Sequence, residues 1–203
     1  MTFLTVAENL NIGVMTSQLV VQLFIVSARS TMQHAPNGVP DPGAVSDVTG
    51  LRECDVALSV GKLVEHYLNA VGIETVLLQS DDLYEVCSEA NNLEADLFIS
   101  IHCNSVESPY AEGTETWYCA GSGKGRYLAD CIQSQIVDSL RTVDRGAKMA
   151  TPGKNGLYVL TNTGMPAVLV ELAFISNEDD EKLLRNEQDE FARAIARGVT
   201  DYM

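Results

Sequence analysis

Histidine is scarce in this chain, with three in 203 residues, and so is positive charge: 13 Lys and Arg stand against 28 Asp and Glu, a formal net of −15. Such a surface repels phosphate backbones and anionic bilayers, which argues against nucleic-acid and membrane partners. The five cysteines, Cys54, Cys87, Cys103, Cys119 and Cys131, are odd in number and form no CxxC pair. A disulfide framework or a cysteine zinc site is therefore disfavoured, and small buried hydrophobes are expected instead. No apolar run is long enough to cross a bilayer. The longest, Leu19 to Ala28 (LVVQLFIVSA), is about half of the roughly 20 residues a span needs. No lysine or arginine precedes it, so it makes an unconvincing signal peptide and is expected to be a buried first strand. Internal repeats and low-complexity segments are lacking. Gly121-Ser122-Gly123-Lys124-Gly125 lacks the GK[ST] ending of a phosphate loop and is expected to be a turn.

What is present suits one globular domain: 46% of residues are hydrophobic, enough for a substantial core but not for two. Residues 1–17 carry no clear pattern and are taken as an extension, leaving 18–203 as the folded domain. Apolar runs predict strands at 19–27, 73–78, 97–103, 114–119, 157–160 and 167–173. Three- and four-residue apolar spacing predicts a helix from Glu53 to Ala70, ended by Gly72. Further helices are expected from Asp81 or Asp82 to Asn92, from Tyr127 to Leu140, and from Asn177 to near Tyr202 with a break near Asn186. The alternation predicts an α/β fold, a single domain with a mostly parallel mixed sheet of about six strands covered by helices on both faces. Between the first strand and first helix, residues 29–52 form a Pro/Gly-rich loop, long enough to suggest a functional role.

The chemistry-bearing residues lie where such folds bind ligands, beyond the carboxyl ends of the strands. His34 falls in the long loop and His102 ends the strand LFISIHC. Glu53 opens the helix that follows the loop. Glu171 stands within Val168-Leu169-Val170-Glu171-Leu172, where an unpartnered carboxylate is costly to bury. Two histidines and a glutamate with an open fourth position can hold a catalytic zinc, and a second glutamate can act as its general base. Taken singly, each has a plainer explanation. His102 can be a hydrogen-bonded rim residue, Glu53 a first-turn acid favoured by the helix dipole, and Glu171 the partner of a buried arginine. His66 is about 220° around the same helix from Glu53 and is expected on the surface.

The same segments resemble the zinc-dependent N-acetylmuramoyl-L-alanine amidases of the Amidase_3 type, over about residues 20–203. The likeness runs through His34 with Asp41-Pro42-Gly43-Ala44, then Gly50-Leu51-Arg52-Glu53, then Ala95 to Asn104 (ADLFISIHCN). It continues with Gly113-Thr114-Glu115-Thr116, Asp144-Arg145-Gly146 as a short substrate-side loop, Leu157 to Leu160, Pro166 to Glu171 and Phe174 to Asn177. Gln33 stands before His34 where the family has glycine. The resemblance implies one Zn²⁺ per chain on His34, Glu53 and His102, Glu171 as the catalytic glutamate, and Asn104 and Arg145 as substrate contacts. The implied substrate is the amide between the lactyl group of N-acetylmuramic acid and L-alanine of the peptidoglycan stem peptide. It further implies a monomer acting in the cell wall, periplasm or extracellular space, in an autolysin or endolysin role.

Overall fold

The computed structural model describes residues 42–80, 82–155 and 157–203, together with the backbone of 23–28. His34 and most of its loop lie outside the described residues, as do residues 1–17. The chain folds as a single α/β domain built on a mixed sheet. The strands are β1 (Leu23–Ala28), β2 (Glu74–Leu78), β3 (Leu97–Asn104), β4 (Thr114–Cys119), β5 (Asp144–Ala150) and β6 (Ala167–Phe174). The helices are α1 (Glu53–Ala70), α2 (Leu83–Asn92), α3 (Gly123–Leu140), α4 (Tyr158–Asn162), α5 (Glu178–Asn186) and α6 (Gln188–Tyr202). Counted by strands whose side chains are described, the sheet is smaller than the expected six: four strands in the order β3-β6-β4-β5, with β2 separate. The backbone of β1 lies between β2 and β3, giving the order β2-β1-β3-β6-β4-β5. All pairings are parallel except β4 with β6.

Local chemistry accounts for most boundaries. Along α1, Val56, Val60, Val64 and Leu68 are fully buried at four-residue spacing, and Glu53 and Asp55 occupy the positive end of the helix dipole. Asp82 caps α2 by accepting from the N–H groups of Tyr84 and Glu85, and Asn177 caps α5 by accepting from those of Asp179 and Asp180. Ser122 does the same for Gly125, so α3 starts four residues before the apolar periodicity begins at Tyr127.

Two elements differ from expectation. Leu157 to Leu160 is the entry into helix α4, not a strand. Val159 and Leu160 are adjacent yet both buried in one apolar cluster, which strand geometry would forbid by pointing them to opposite faces. Asp144 to Ala150 is the edge strand β5, not a short loop. Its sequence, DRGAKMA, has no β-branched or aromatic residue, so nothing local announces a strand.

The core has two parts. On one face of the sheet, Ile99, Ile101, Val168 and Val170 pack against α1, α3 and α6. There α6 meets α3 so closely that a β-carbon at Gly198 would lie 2.6 Å from the Ile132 α-carbon. On the other face, Phe98, Ala167 and Leu169 pack against α2 and α4. Among the described residues no helix is long and apolar enough to cross a membrane.

Candidate active site

Side chains alternate along a strand, so the face under α2 and α4 can be followed residue by residue. On β3 it carries Phe98, Ser100 and His102; on β6, in register, Ala167, Leu169 and Glu171. β4 runs the other way and contributes Trp117 and Glu115, opposite Leu169 and Glu171. In three neighbouring strands the face thus turns from apolar to polar at the same level. The helices cover the apolar part, and the row His102, Glu171, Glu115 lies at the carboxyl rim of β3 and β6.

The amino end of α1 reaches the same rim. Glu53 Oε1 sits 2.9 Å from His102 Nδ1 and also accepts from the Cys103 N–H at 3.3 Å. Oε2 accepts from the Ala44 N–H at 3.0 Å. The segment Pro42-Gly43-Ala44 is tied back to the helix start, with Glu53 N–H donating to the Ala44 carbonyl and Cys54 N–H to that of Pro42. Gly43 has a φ of +71°, which glycine adopts freely, and its missing side chain leaves room for the carboxylate. Burial pushes the Glu53 carboxyl up, but hydrogen bonding to His102 and then to the Ala44 and Cys103 amides outweighs it, and the group is held below its ordinary value. The His102 ring thus lies between Glu53 at Nδ1 and the Ser100 hydroxyl, which is 3.0 Å from Nε2.

Glu115 is the second buried carboxylate of the rim. Burial raises its carboxyl, and hydrogen bonds from Arg145, Lys148 and Trp117 more than reverse that. Arg145 Nε lies 2.7 Å and Lys148 Nζ 3.1 Å from Oε2, while Trp117 Nε1 and Asn104 Nδ2 reach Oε1 at 3.0 and 3.2 Å. A register shift between His102 and Asn104 helps to aim Asn104 inward.

Of the expected residues, Glu53, His102, Glu171, Asn104 and Arg145 gather at one rim, while His34 lies outside the described residues. Glu53 and His102 touch, Glu171 is the strand neighbour of His102, and Asn104 and Arg145 meet at Glu115. His66 is exposed on α1 against Tyr67, as its angle from Glu53 requires. The described cysteines are all free thiols. Sequence reasoning passed over Ser100, Glu115, Trp117 and Lys148. The alternation Glu115, Trp117 in TETWYC was the available signal for the first strand face. Nothing in DRGAKMA flags Lys148.

An imidazole nitrogen and a carboxylate oxygen that converge in a buried rim are donors of the kind zinc takes in catalytic sites. Among the described residues no group of three or more His, Cys, Asp or Glu side chains that could hold a metal converges.

A domain of this architecture, with a His–Glu pair beside a second glutamate at the strand ends, is compatible with a hydrolase. The chain belongs to the N-acetylmuramoyl-L-alanine amidase family, Amidase_3, whose family model matches residues 34–201. Enzymes of this family are hydrolases that cleave peptidoglycan, and zinc is characteristic of them. The chain is 39% identical over 185 residues to the uncharacterized protein YqiI of Bacillus subtilis, covering 87% of this chain and 86% of YqiI. It is 38% identical over 174 residues to N-acetylmuramoyl-L-alanine amidase LytC of the same organism, covering 82% of this chain but only 34% of LytC. Among solved structures, an N-acetylmuramoyl-L-alanine amidase from Clostridium difficile 630 superposes with a TM-score of 0.77 at 30% identity, covering 90% of this chain and 96% of that one.

Proposed function

We propose that this chain hydrolyses the amide between the lactyl carboxyl of N-acetylmuramic acid and the L-alanine nitrogen of the stem peptide, using one zinc held by Glu53, His102 and His34. The observation that carries this reading is the contact of Glu53 Oε1 with His102 Nδ1 at 2.9 Å, one strand from Glu171. His34 completes the set because two donors are too few for a catalytic zinc and His66 lies on the far side of α1. Bound zinc polarises the scissile carbonyl and lowers the pKa of water enough for attack at neutral pH.

The remaining steps fall to the chain. Glu171, half-buried beside His102, takes a proton from the attacking water and passes it to the alanine nitrogen as the C–N bond breaks. The products are the muramic carboxylic acid and a peptide with a free amino terminus. Ser100 fixes the far ring nitrogen of His102 and so its orientation. Asn104 and Arg145, fastened to Glu115, form a wall against which the stem peptide lies. On this reading β1 completes a six-stranded sheet, residues 18–203 are the catalytic domain behind an extension at 1–17, and the enzyme acts as a monomer on the wall, outside the cytoplasm.

The test is mass spectrometry of peptidoglycan digested with the purified protein, with and without added zinc. Zinc-dependent release of peptides beginning with L-alanine is expected. Cleavage at any other bond, or none, overturns the reading.

A further inference from the structure

The reaction above gives no role to the loops that run from the strand ends towards α1 and α5. A groove of about 820 Å³ opens between them, within the roughly 300–1,000 Å³ of small-molecule sites. It continues the catalytic rim on three sides. Val45 follows Ala44, whose N–H holds Glu53, and Ser105 follows Asn104, which is fastened to Glu115. Ile175 follows Phe174 at the end of β6, and its N–H donates to the Asn104 carbonyl. The walls are tied to one another. Thr49 Oγ1 donates to Glu181 Oε1 at 2.7 Å, the Val106 N–H to the Ser176 hydroxyl at 3.3 Å, and Asn177 Nδ2 to the Pro109 carbonyl at 2.9 Å. The groove is therefore shaped before a ligand enters it.

Its lining combines two chemistries. Tyr110 and Val48 are 88% and 87% exposed, with Val45 and Val106 half-exposed beside them, and contiguous apolar side chains of this kind mark binding surfaces. Among them stand the carboxylates of Asp47, Glu107, Glu178, Asp179 and Glu181. Lys182 pairs with Glu178 and Asp179, and Arg185 lies 4.0 Å from Glu181. Arg52, at the foot of the first loop, is matched by Asp55. Asp180, buried in the same turn of α5, adds a further carboxyl. Five lining carboxylates against two cations leave the groove negative, so an anionic ligand is repelled. Ionised carboxylates can only accept hydrogen bonds. The ligand that fits is uncharged, rich in hydroxyl and amide donors, and has an apolar face to lie on a tyrosine ring. An N-acetylated sugar has all three properties. With the stem peptide against the Arg145 wall, the acyl half of the substrate, which is the sugar half, leaves the scissile amide on the other side.

We propose that this groove holds the glycan strand on the acyl side of the scissile amide, with Tyr110 as its stacking platform, and that its carboxylates select strands whose peptides are still attached. The proposal rests on the amidase reading and adds to it a surface and a basis for discrimination. While the peptide is attached, the lactyl group is an uncharged amide. After hydrolysis it is a carboxylate, which the negative lining disfavours. Binding therefore favours uncut strand over product.

The test uses two substrates with the same scissile amide: a lactyl tetrapeptide without sugar, and the same tetrapeptide on a tetrasaccharide of the wall glycan. The unmodified protein should favour the glycan-borne peptide by about tenfold or more in kcat/KM, mainly through KM, as expected for one ring stacking and a few hydrogen bonds. Tyr110→Ser should bring that ratio towards one, and Tyr110→Phe should keep most of it. A general loss of fold would depress both substrates alike and leave the ratio unchanged. The tetrasaccharide stripped of its peptides, with free lactyl carboxylates, should inhibit weakly. It should inhibit several-fold more strongly when Asp47→Asn and Glu107→Gln are combined. A ratio near one in the unmodified protein, with both substrates cut, overturns the subsite and leaves the amidase reading standing. A ratio that persists in Tyr110→Ser also overturns it, and equal inhibition of the unmodified and doubly substituted proteins overturns the selection by charge. Turnover of neither substrate overturns the amidase reading, and the subsite with it.

Discussion

Gly43 lies so close to the carboxylate of Glu53 that a β-carbon at position 43 would fall 2.6 Å from Oε2. Its φ of +71° belongs to the left-handed region. Gly43→Ala therefore meets two obstacles, backbone strain of about 1 kcal/mol and a collision with the group it helps to aim. The expected outcome is a lower Tm together with weaker zinc binding in a chelator competition. Wild-type zinc affinity in this variant would show that the turn before α1 does not aim Glu53.

Glu171→Gln preserves shape and removes the proton acceptor. Fold and zinc content should be retained, while kcat falls by roughly two to four orders of magnitude, the usual contribution of a general acid–base. Near-normal turnover would remove Glu171 from the chemistry.

The metal set is open to direct assay. Glu53→Ala, His102→Ala and His34→Ala should each abolish stoichiometric zinc at low free metal, because each leaves two protein donors. Metal analysis of the purified variants reads this out. If Glu53→Ala keeps its zinc, Glu53 is only a first-turn acid paired with a histidine.

Ser100→Ala tests the contact behind the ligand. The hydroxyl is 3.0 Å from His102 Nε2, and outer partners of this kind are worth about 10- to 100-fold in metal affinity. A zinc dissociation constant unchanged from wild type would contradict the role given to Ser100.

Glu115 predicts a pH dependence of stability. Its carboxyl is held below the ordinary value in the folded state, so its stabilisation is complete above the unfolded-chain value of about 4.3. That contribution is lost as pH falls through the lower, folded value. Urea unfolding between about pH 6 and 3 should therefore show a shallower acid-side loss of stability for Glu115→Gln than for the unmodified chain. Identical slopes would mean that the Arg145 and Lys148 contacts do not favour the charged form.

Much of this protein is local information. Apolar spacing in α1, the capping residues Asp82 and Asn177, and the apolar runs of β3, β4 and β6 determine an α/β fold without reference to anything distant. The order of short motifs was enough to bring Glu53, His102 and Glu171 forward as a set. Other features depend on neighbours far along the chain. Seven residues with no strand propensity become β5 because the exposed edge of β4 offers hydrogen-bonding groups that must be satisfied. Leu157 to Leu160 turns helical because the side of the sheet left open by Phe98 and Leu169 needs two adjacent side chains at once. Glu115 gains its meaning only when β4 pairs antiparallel with β6 and parallel with β5, bringing Glu171 to one side and two cations to the other. Propensity and periodicity act over a few residues and are written in the sequence, whereas charge pairing across strands acts through space and waits for the sheet to form.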